Sequence, residues 1–389
     1  MAALRNASKC SHTTCMLRFF TVSRLVLNPN LIFETGSRKQ VKMKKKMRVM
    51  SQQPFNAETA TQYLRSWITS NKVFFARNQG QIPEKAIPLS DWSLTIEGEV
   101  NKPLVLSFDQ IYRMPKAIVS NTIECSGNSR SLLGTKASGN PWTIGGVGNA
   151  VWGGVWLKEV FDRAELKSTA RHVAFEGLDK PLGSAQIQFV RSIPIEKALS
   201  SSLLAYEMNG DPLPLNHGYP LRALALGWTG ANCVKWLHKI TVLDRAFEGF
   251  YMDKVYRKFQ KGQDPKTGEV VTGINLKSII TQPEQSEKLG VGLVTVLGAA
   301  YAGEAEVEQV VISVDNGKTW HAATFIGPDE PYAWRQWQFL WPVKEKGEYT
   351  LMSRATDTQG NQQPMNADWN VLGYGNNGVR EHAVTIQIT

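Results

Sequence analysis

The sequence predicts an α+β protein of two domains, a mixed domain of short strands and helical pieces followed by an immunoglobulin-like β-sandwich. Three observations carry this. The chain has 389 residues, enough for two domains with substantial cores. From Trp92 to about Asp244, short β-type runs alternate with helix-like pieces, whereas beyond about Asn275 the texture becomes a succession of β-rich runs between turn residues. The expected organisation is a basic leader over residues 1–50, a first domain over 51–265 and a sandwich over 266–389, with the boundary inside 261–273.

Residues 1–50 carry eleven Lys/Arg against one acid, Glu34, which accounts for the whole net charge of +10. The remainder holds 33 basic and 33 acidic residues, so the folded body has no reason to bind a polyanion, and no nucleic-acid role is expected. The leader reads as disordered or processed. It fits a mitochondrial-type presequence, or an over-extended gene start with Met43, Met47 and Met50 as later initiation points. No apolar run is long enough to span a bilayer. A soluble protein is expected, cytoplasmic in the first instance, with the mitochondrial intermembrane space or periplasm as alternatives.

After the leader, Phe55 to Ser70 reads as an amphipathic helix, with Tyr63, Leu64, Trp67 and Ile68 on one face and Asn56 as N-cap. Trp92–Ile96 and His172–Phe175 read as strands, and Val155–Arg163 as a helix. Gly and Asn crowd residues 127–150, the composition of a loop wandering past a site. In the sandwich, Val291–Leu297, Val307–Val314, Trp320–Phe325, Arg335–Trp341 and Glu348–Thr356 read as strands. Asp315-Asn316-Gly317 is a hairpin turn, because Asn-Gly tolerates positive φ.

Cys10 and Cys15 lie in the leader, leaving Cys125 and Cys233 in the body, so no disulfide framework is expected. There is no Cys-x-x-Cys-His for covalent haem and no paired Cys-x-x-Cys, so no haem is expected in this chain. A redox enzyme built this way must pass its electrons to a separate partner. The run Ile123-Glu124-Cys125-Ser126-Gly127-Asn128-Ser129-Arg130 sets one thiol beside a flexible turn, with an arginine five residues on. A thiolate is a soft donor to a metal, glycine admits a bulky ligand, and the arginine fork suits an oxyanion. On its own the octapeptide reads first as an inert buried thiol, with metal ligation as the second reading.

Distant segments decide between these readings. The run Thr122–Leu133, then Pro141-Trp142 and Trp152-Gly153-Gly154-Val155-Trp156-Leu157, resembles the core signature of the sulfite oxidase family of molybdopterin enzymes. So do Phe75-Ala76-Arg77-Asn78, Phe175–Asp179, Leu204–Gly210, His217–Arg222 and Val234–Leu237, in the family's order, with Ala333–Trp337 in the second domain. The resemblance runs from about Phe74 to the C-terminus. It implies a sulfite-oxidase-type catalytic domain followed by a dimerisation sandwich, a haem-free bacterial or plant-like form, and a homodimer.

The resemblance also implies site roles. Cys125 matches the thiolate that ligates molybdenum. Arg77, Arg130 and Arg335 match arginines around an anion pocket, Trp142 its aromatic wall, and Tyr256 the tyrosine beside the metal. Phe75, Ala76, Asn78, Gln79, Asp179, His217, Arg222, Cys233, Val234 and Lys235 match positions around molybdopterin and its phosphate. The implied reaction is oxidation of sulfite to sulfate, with two electrons passed to a c-type cytochrome or oxygen. Three arginines collecting a small dianion at one metal centre fit that chemistry on electrostatic grounds.

Two positions depart from the family pattern. Gln79 stands where a histidine is common, removing an ionisable donor, and Asn232 stands where an arginine commonly precedes Val-Lys-Trp. The runner-up is a reductase of a sulfoxide or another oxo compound in the same superfamily, disfavoured because a neutral substrate would leave three arginines uncompensated. A Cys125–His217 hydrolase lacks supporting motifs, and a non-catalytic immunoglobulin-like binding protein ignores the loop chemistry.

Overall fold

The computed structural model describes residues 47–183 and 186–389. The leader up to residue 46, with Cys10 and Cys15, therefore lies outside the described residues. Two expectations near its end are corrected. Met47–Gln52 is a strand paired antiparallel with Phe55–Thr59, so the last residues of the expected leader, 47–50, belong to the folded body. The expected helix over residues 55–70 is replaced by that second strand and a single 3₁₀ turn, Thr61–Arg65. Tertiary pairing overrides helical periodicity here. Arg48 binds Glu58 and the Pro141 carbonyl, Ala57 pairs with Ala76, and Asn56 accepts the Asn78 N–H at 2.7 Å instead of capping a helix.

Two five-stranded sheets build the first domain. In one, Asp211–Pro212, Ser202–Met208, Val147–Trp156 and Ala117–Glu124 lie side by side, with Arg222–Ala225 also pairing Ser202–Met208. In the other, the order is Leu104–Ser107, Ser93–Gly98, Leu237–Leu243, His172–Gly177 and Val190–Pro194. Both expected early strands are present, the first starting one residue late at Ser93 and each running two residues further, to Gly98 and Gly177. Leu94, Ile96, Val155, Leu204 and Ile240 pack between the sheets in one core. The expected helix begins two residues late, at Leu157, because Val155 and Trp156 remain in the strand that pairs Leu204 and Leu203. Leu157, Val160, Phe161 and Ala164 then form its buried stripe at helical spacing. The first sheet carries a second core on its other face, containing Phe74, Phe75, Trp142, Trp152 and Cys125. The cysteine loop thus leaves a strand that is packed on both sides.

The second domain is the expected sandwich. Lys277–Gln282, Gly292–Tyr301, Arg335–Val343 and Thr324–Ile326 form one sheet, and Lys288–Leu289, Val384–Ile388, Gly347–Asp357, Val307–Ser313 and His321–Ala322 the other. Val296, Val310, Ile312, Trp337 and Leu351 fill the space between them. Asn316 at φ 62° and Gly317 at φ 83° make the expected hairpin turn. The expected strand 320–325 is divided, its halves joining opposite sheets. The expected boundary at residue 265 falls within the hairpin of Arg257–Lys258 with Glu269–Val270. A mixed cluster ties the domains together, with Leu64 and Val147 against Ile279, Tyr301 and Trp334. None of the described helices is long and apolar enough to cross a membrane.

Candidate active site

A cleft opens where the cysteine loop meets the ends of the first domain's strands. Its lining includes Phe75, Arg77, Asn78, Gln79, Cys125, Asp179, His217, Arg222, Cys233, Lys235 and Tyr256. These come from segments far apart in the sequence, and the fold gathers them. Cys125 follows the last residue of Ala117–Glu124, with its N–H bonded to the Gly146 carbonyl at 2.8 Å. The Asn128 N–H closes the turn on the Cys125 carbonyl at 2.8 Å. A side chain at Gly127 would collide with the Arg130 guanidinium, since its Cβ would lie 2.3 Å from Nη2. Burial pushes the Cys125 thiol above its ordinary value, while Arg77 and then Arg130 pull it down.

Positive charge is in surplus here. Arg77, Arg222 and Lys235 line the cleft, Arg130 stands beside the thiol, and the single lining acid is Asp179. Among the described residues, none of these four cations is in an ion pair. Arg222 is buried and donates only to the carbonyls of His217 at 3.0 Å and Cys233 at 3.2 Å, which leaves Nε without a partner. Burial lowers it to about 10. Lys235 is held by Asn78 and the Asn216 carbonyl, and burial, then Arg222, depress it well below its ordinary value. Desolvation, then Lys235 and Arg222, bring His217 down to about 3, so it is neutral at physiological pH. Asp179 is raised by burial and lowered by Lys235. A buried cation without a carboxylate is costly, and a bound anion would relieve that cost.

At the other end, the Gln79 amide donates to the Tyr256 phenol oxygen at 2.7 Å. Tyr256 stacks on Tyr374 with centroids 5.6 Å apart and planes 15° apart. Arg130 lies 5.4 Å from the Tyr374 ring and Arg191 4.9 Å from the Tyr256 ring, so two cations bracket the pair. Arg191 is fully buried and also donates to Asn232 Oδ1 at 3.0 Å. Asn232 therefore turns inward, away from the cleft, and supports Arg191.

Several expected site residues lie elsewhere. Arg335 is not part of the cleft: it pairs with Asp329, and its guanidinium sits 4.2 Å from the Phe325 ring. Its neighbours Trp334 and Trp337 are both fully buried, and the strand they anchor leaves Arg335 on its own domain's flank. The structure thus brings two of the three expected arginines, Arg77 and Arg130, beside the thiol. Trp142 is not a wall but backs one, fully buried behind Phe75 at 6.2 Å edge-to-face. Ala76 and Val234 are buried behind the lining, where their backbones pair with Ala57 and Ala223. Sequence reasoning missed Tyr374, Arg191 and Phe189. Tyr374 alone had a readable signal, Gly373-Tyr374-Gly375, whose glycines take φ of 59° and 68° to bring a loop close to Arg130.

Comparison with known proteins accords with this geometry. Residues 79–251 match the oxidoreductase molybdopterin binding domain, and residues 269–388 match the Mo-co oxidoreductase dimerisation domain. Sulfite oxidase of Gallus gallus is 35% identical over 349 residues, covering 84% of this chain and 75% of that protein. The chain belongs to the sulfite oxidase family. The mitochondrial sulfite oxidase of Rattus norvegicus is 34% identical over 365 residues, 88% of this chain and 66% of that protein. The chain therefore spans two thirds to three quarters of the length of these curated family members. The crystal structure of the sulfane dehydrogenase SoxCD from Paracoccus pantotrophus superposes with a TM-score of 0.78 at 25% identity, covering 94% of this chain and 96% of that one. As a member of this family, the chain is a molybdopterin-dependent oxidoreductase with a dimerisation domain, as its motifs imply. The cleft suits that cofactor by its own chemistry, since a soft thiol, a buried arginine whose Nε has no partner and a lysine line it together.

Proposed function

We propose that the chain oxidises sulfite to sulfate and hands two electrons to an external acceptor, a c-type cytochrome or oxygen. The observation that carries this is the surplus of unpaired cations converging on one thiol, an arrangement that fits a small dianion at a thiolate-ligated metal. Cys125 would hold molybdenum through its sulfur, with Arg222, Lys235, His217, Asp179 and Asn78 around the pterin and its phosphate. When bound, the molybdenum–pterin group supplies oxygen-atom transfer and two-electron storage. The balance is sulfite plus water to sulfate, two protons and two electrons.

The protein's own residues bind and orient. Arg77 and Arg130 would take the sulfite oxygens and leave the sulfur lone pair directed at the metal centre. Gln79 donates to the Tyr256 oxygen, so the phenol proton is turned away from Gln79 and available to a bound anion. Phe74, Phe75 and Trp236 keep one side of the cleft apolar, which strengthens each charge interaction inside. The second domain would form the homodimer through its outer face, where Leu293 and Leu340 are exposed on neighbouring strands.

The test is sulfite-dependent reduction of ferricyanide, of cytochrome c and of dissolved oxygen by the purified chain. Turnover with sulfite supports the reading, and the preferred acceptor shows where the electrons go. A molybdenum-loaded chain inert to sulfite but reducing a sulfoxide would replace it with the reductase reading.

A further inference from the structure

The residue preceding Cys125 carries a charge that the proposed reaction does not use. Glu124 Oε1 accepts from Lys277 Nζ at 2.5 Å, Tyr301 OH at 2.9 Å and Asn128 Nδ2 at 2.9 Å. Lys277 and Tyr301 stand opposite each other on neighbouring antiparallel strands of the sandwich, so both reach across from one face of that sheet. The Lys277 side chain is 1% exposed and that of Glu124 5%. Burying two charges so completely costs more than an apolar contact of the same size would, and what such a pair adds is a fixed geometry.

The rest of the loop is held from the same side. The Gly375 N–H donates to the Ser126 carbonyl at 2.9 Å, and Asn376 Nδ2 to the Ser129 carbonyl at 2.8 Å. His382 Nε2 meets Ser129 Oγ at 2.8 Å, and Arg130 Nε donates to the Leu372 carbonyl at 2.6 Å. Ser129 is kept at φ 67°, a left-handed conformation that a serine adopts only when its surroundings impose it. Glu124, Ser126, Ser129 and Arg130 thus all find partners in the second domain.

We infer that the second domain is the mould of the thiolate loop, and that the Glu124–Lys277 ion pair positions Cys125. Glu124 and Lys277 act through Cys125 and touch no substrate. This rests on the reading of Cys125 as the metal ligand, but it gives the sandwich a role at the active site besides dimerisation.

The experiment uses the full chain. In Lys277→Met without cofactor, hydrogen–deuterium exchange over residues 123–130 and alkylation of Cys125 by iodoacetamide should each rise about tenfold, while peptides of the sandwich core exchange as in the parent. In the loaded Lys277→Met chain, kcat should fall about tenfold with the sulfite KM within about twofold of the parent, the pattern of a misplaced ligand and not of a weakened anion site. Glu124→Gln combined with Lys277→Met removes both charges and with them the pair, so the loop should stay as poorly protected as in the single variant. Unchanged exchange and alkylation in Lys277→Met would overturn the inference, as would a double variant restored to the parent's protection, which would trace the single variant's effect to an unpaired Glu124 charge. If Lys277→Met does not fold, Tyr301→Phe decides: faster loop exchange supports the mould and an unchanged loop refutes it. Exchange and alkylation need no metal, so they judge this inference even if the parent chain binds no molybdenum, a result that would refute the proposed function alone.

Discussion

The wall that lines the cleft and the second-domain wall that supports its cysteine loop are built differently. The first-domain wall is made of side chains: Arg77, Asn78, Gln79, Asp179, His217, Arg222 and Lys235 all present polar atoms to it. The second-domain wall mixes the two kinds of contact, with side chains from Lys277, Tyr301, Asn376 and His382 alongside backbone groups. Gly375 donates a main-chain N–H, Leu372 offers a carbonyl, and the one large side chain it brings near the thiol is Tyr374. The difference teaches that a ligand-binding wall gathers its side chains in short motifs, whereas a supporting wall draws single contacts from residues scattered through its domain.

Substitutions can break or sharpen that contrast, and the largest effect is expected at the thiol. Cys125→Ser should reduce sulfite turnover to background with the fold intact by circular dichroism; a variant retaining most of its activity would remove Cys125 as the ligand. Next come the arginines. Arg77→Gln or Arg130→Gln each deletes a charge-assisted bond worth about 2 kcal/mol, so the apparent sulfite KM should rise about 30-fold. Arg335→Gln, on the flank of the second domain, should leave KM within about twofold in the same steady-state assay. Equal effects at Arg130 and Arg335 would restore the three-arginine pocket.

Tyr374→Ala tests the second wall. Losing its stack on Tyr256 forfeits about 1 kcal/mol of positioning, so turnover should drop about fivefold, and Tyr374→Phe, which keeps the stack, should recover it. A Tyr374→Phe as slow as Tyr374→Ala would shift the role to the hydroxyl.

Acid should act on both walls. His217 in the first and His382 in the second are buried and held neutral, each lowered to about 3, His217 by burial then Lys235 and Arg222, and His382 by burial then Lys277. Their folded values lie below the ordinary 6.5, so the stability of the neutral forms is fully present above 6.5 and lost as pH falls toward 3. Urea midpoints of the cofactor-free chain should therefore decline across that window. His382→Gln should flatten the decline, and an unaltered slope would exonerate that histidine.

Much of the first wall was legible in the sequence because its residues sit in short contiguous motifs whose chemistry is in their side chains. The octapeptide sets Arg130 near Cys125, but what it does there, and what His217 and Arg222 do, comes from the family resemblance and not from spacing. What failed was facing. Ala333-Trp334-Arg335 names an arginine between core tryptophans, but which flank of a strand it occupies depends on pairing between Gly292–Tyr301 and Arg335–Val343, invisible locally. The helix expected after Phe55 failed for a related reason, since hydrogen bonds from Asn78 and Asn149 into that segment come from elsewhere in the chain. The Glu124–Lys277 pair joins residues 153 apart in sequence, and no motif announces it. The sandwich was legible because alternation and the Asn316-Gly317 turn are local signals.

The most direct test of the central claim is the metal and pterin content of the chain purified from a host that makes molybdopterin. One molybdenum and one pterin per chain, both lost in Cys125→Ser or weakened in Arg222→Ala, is the predicted result. A well-folded parent chain carrying neither would contradict the account.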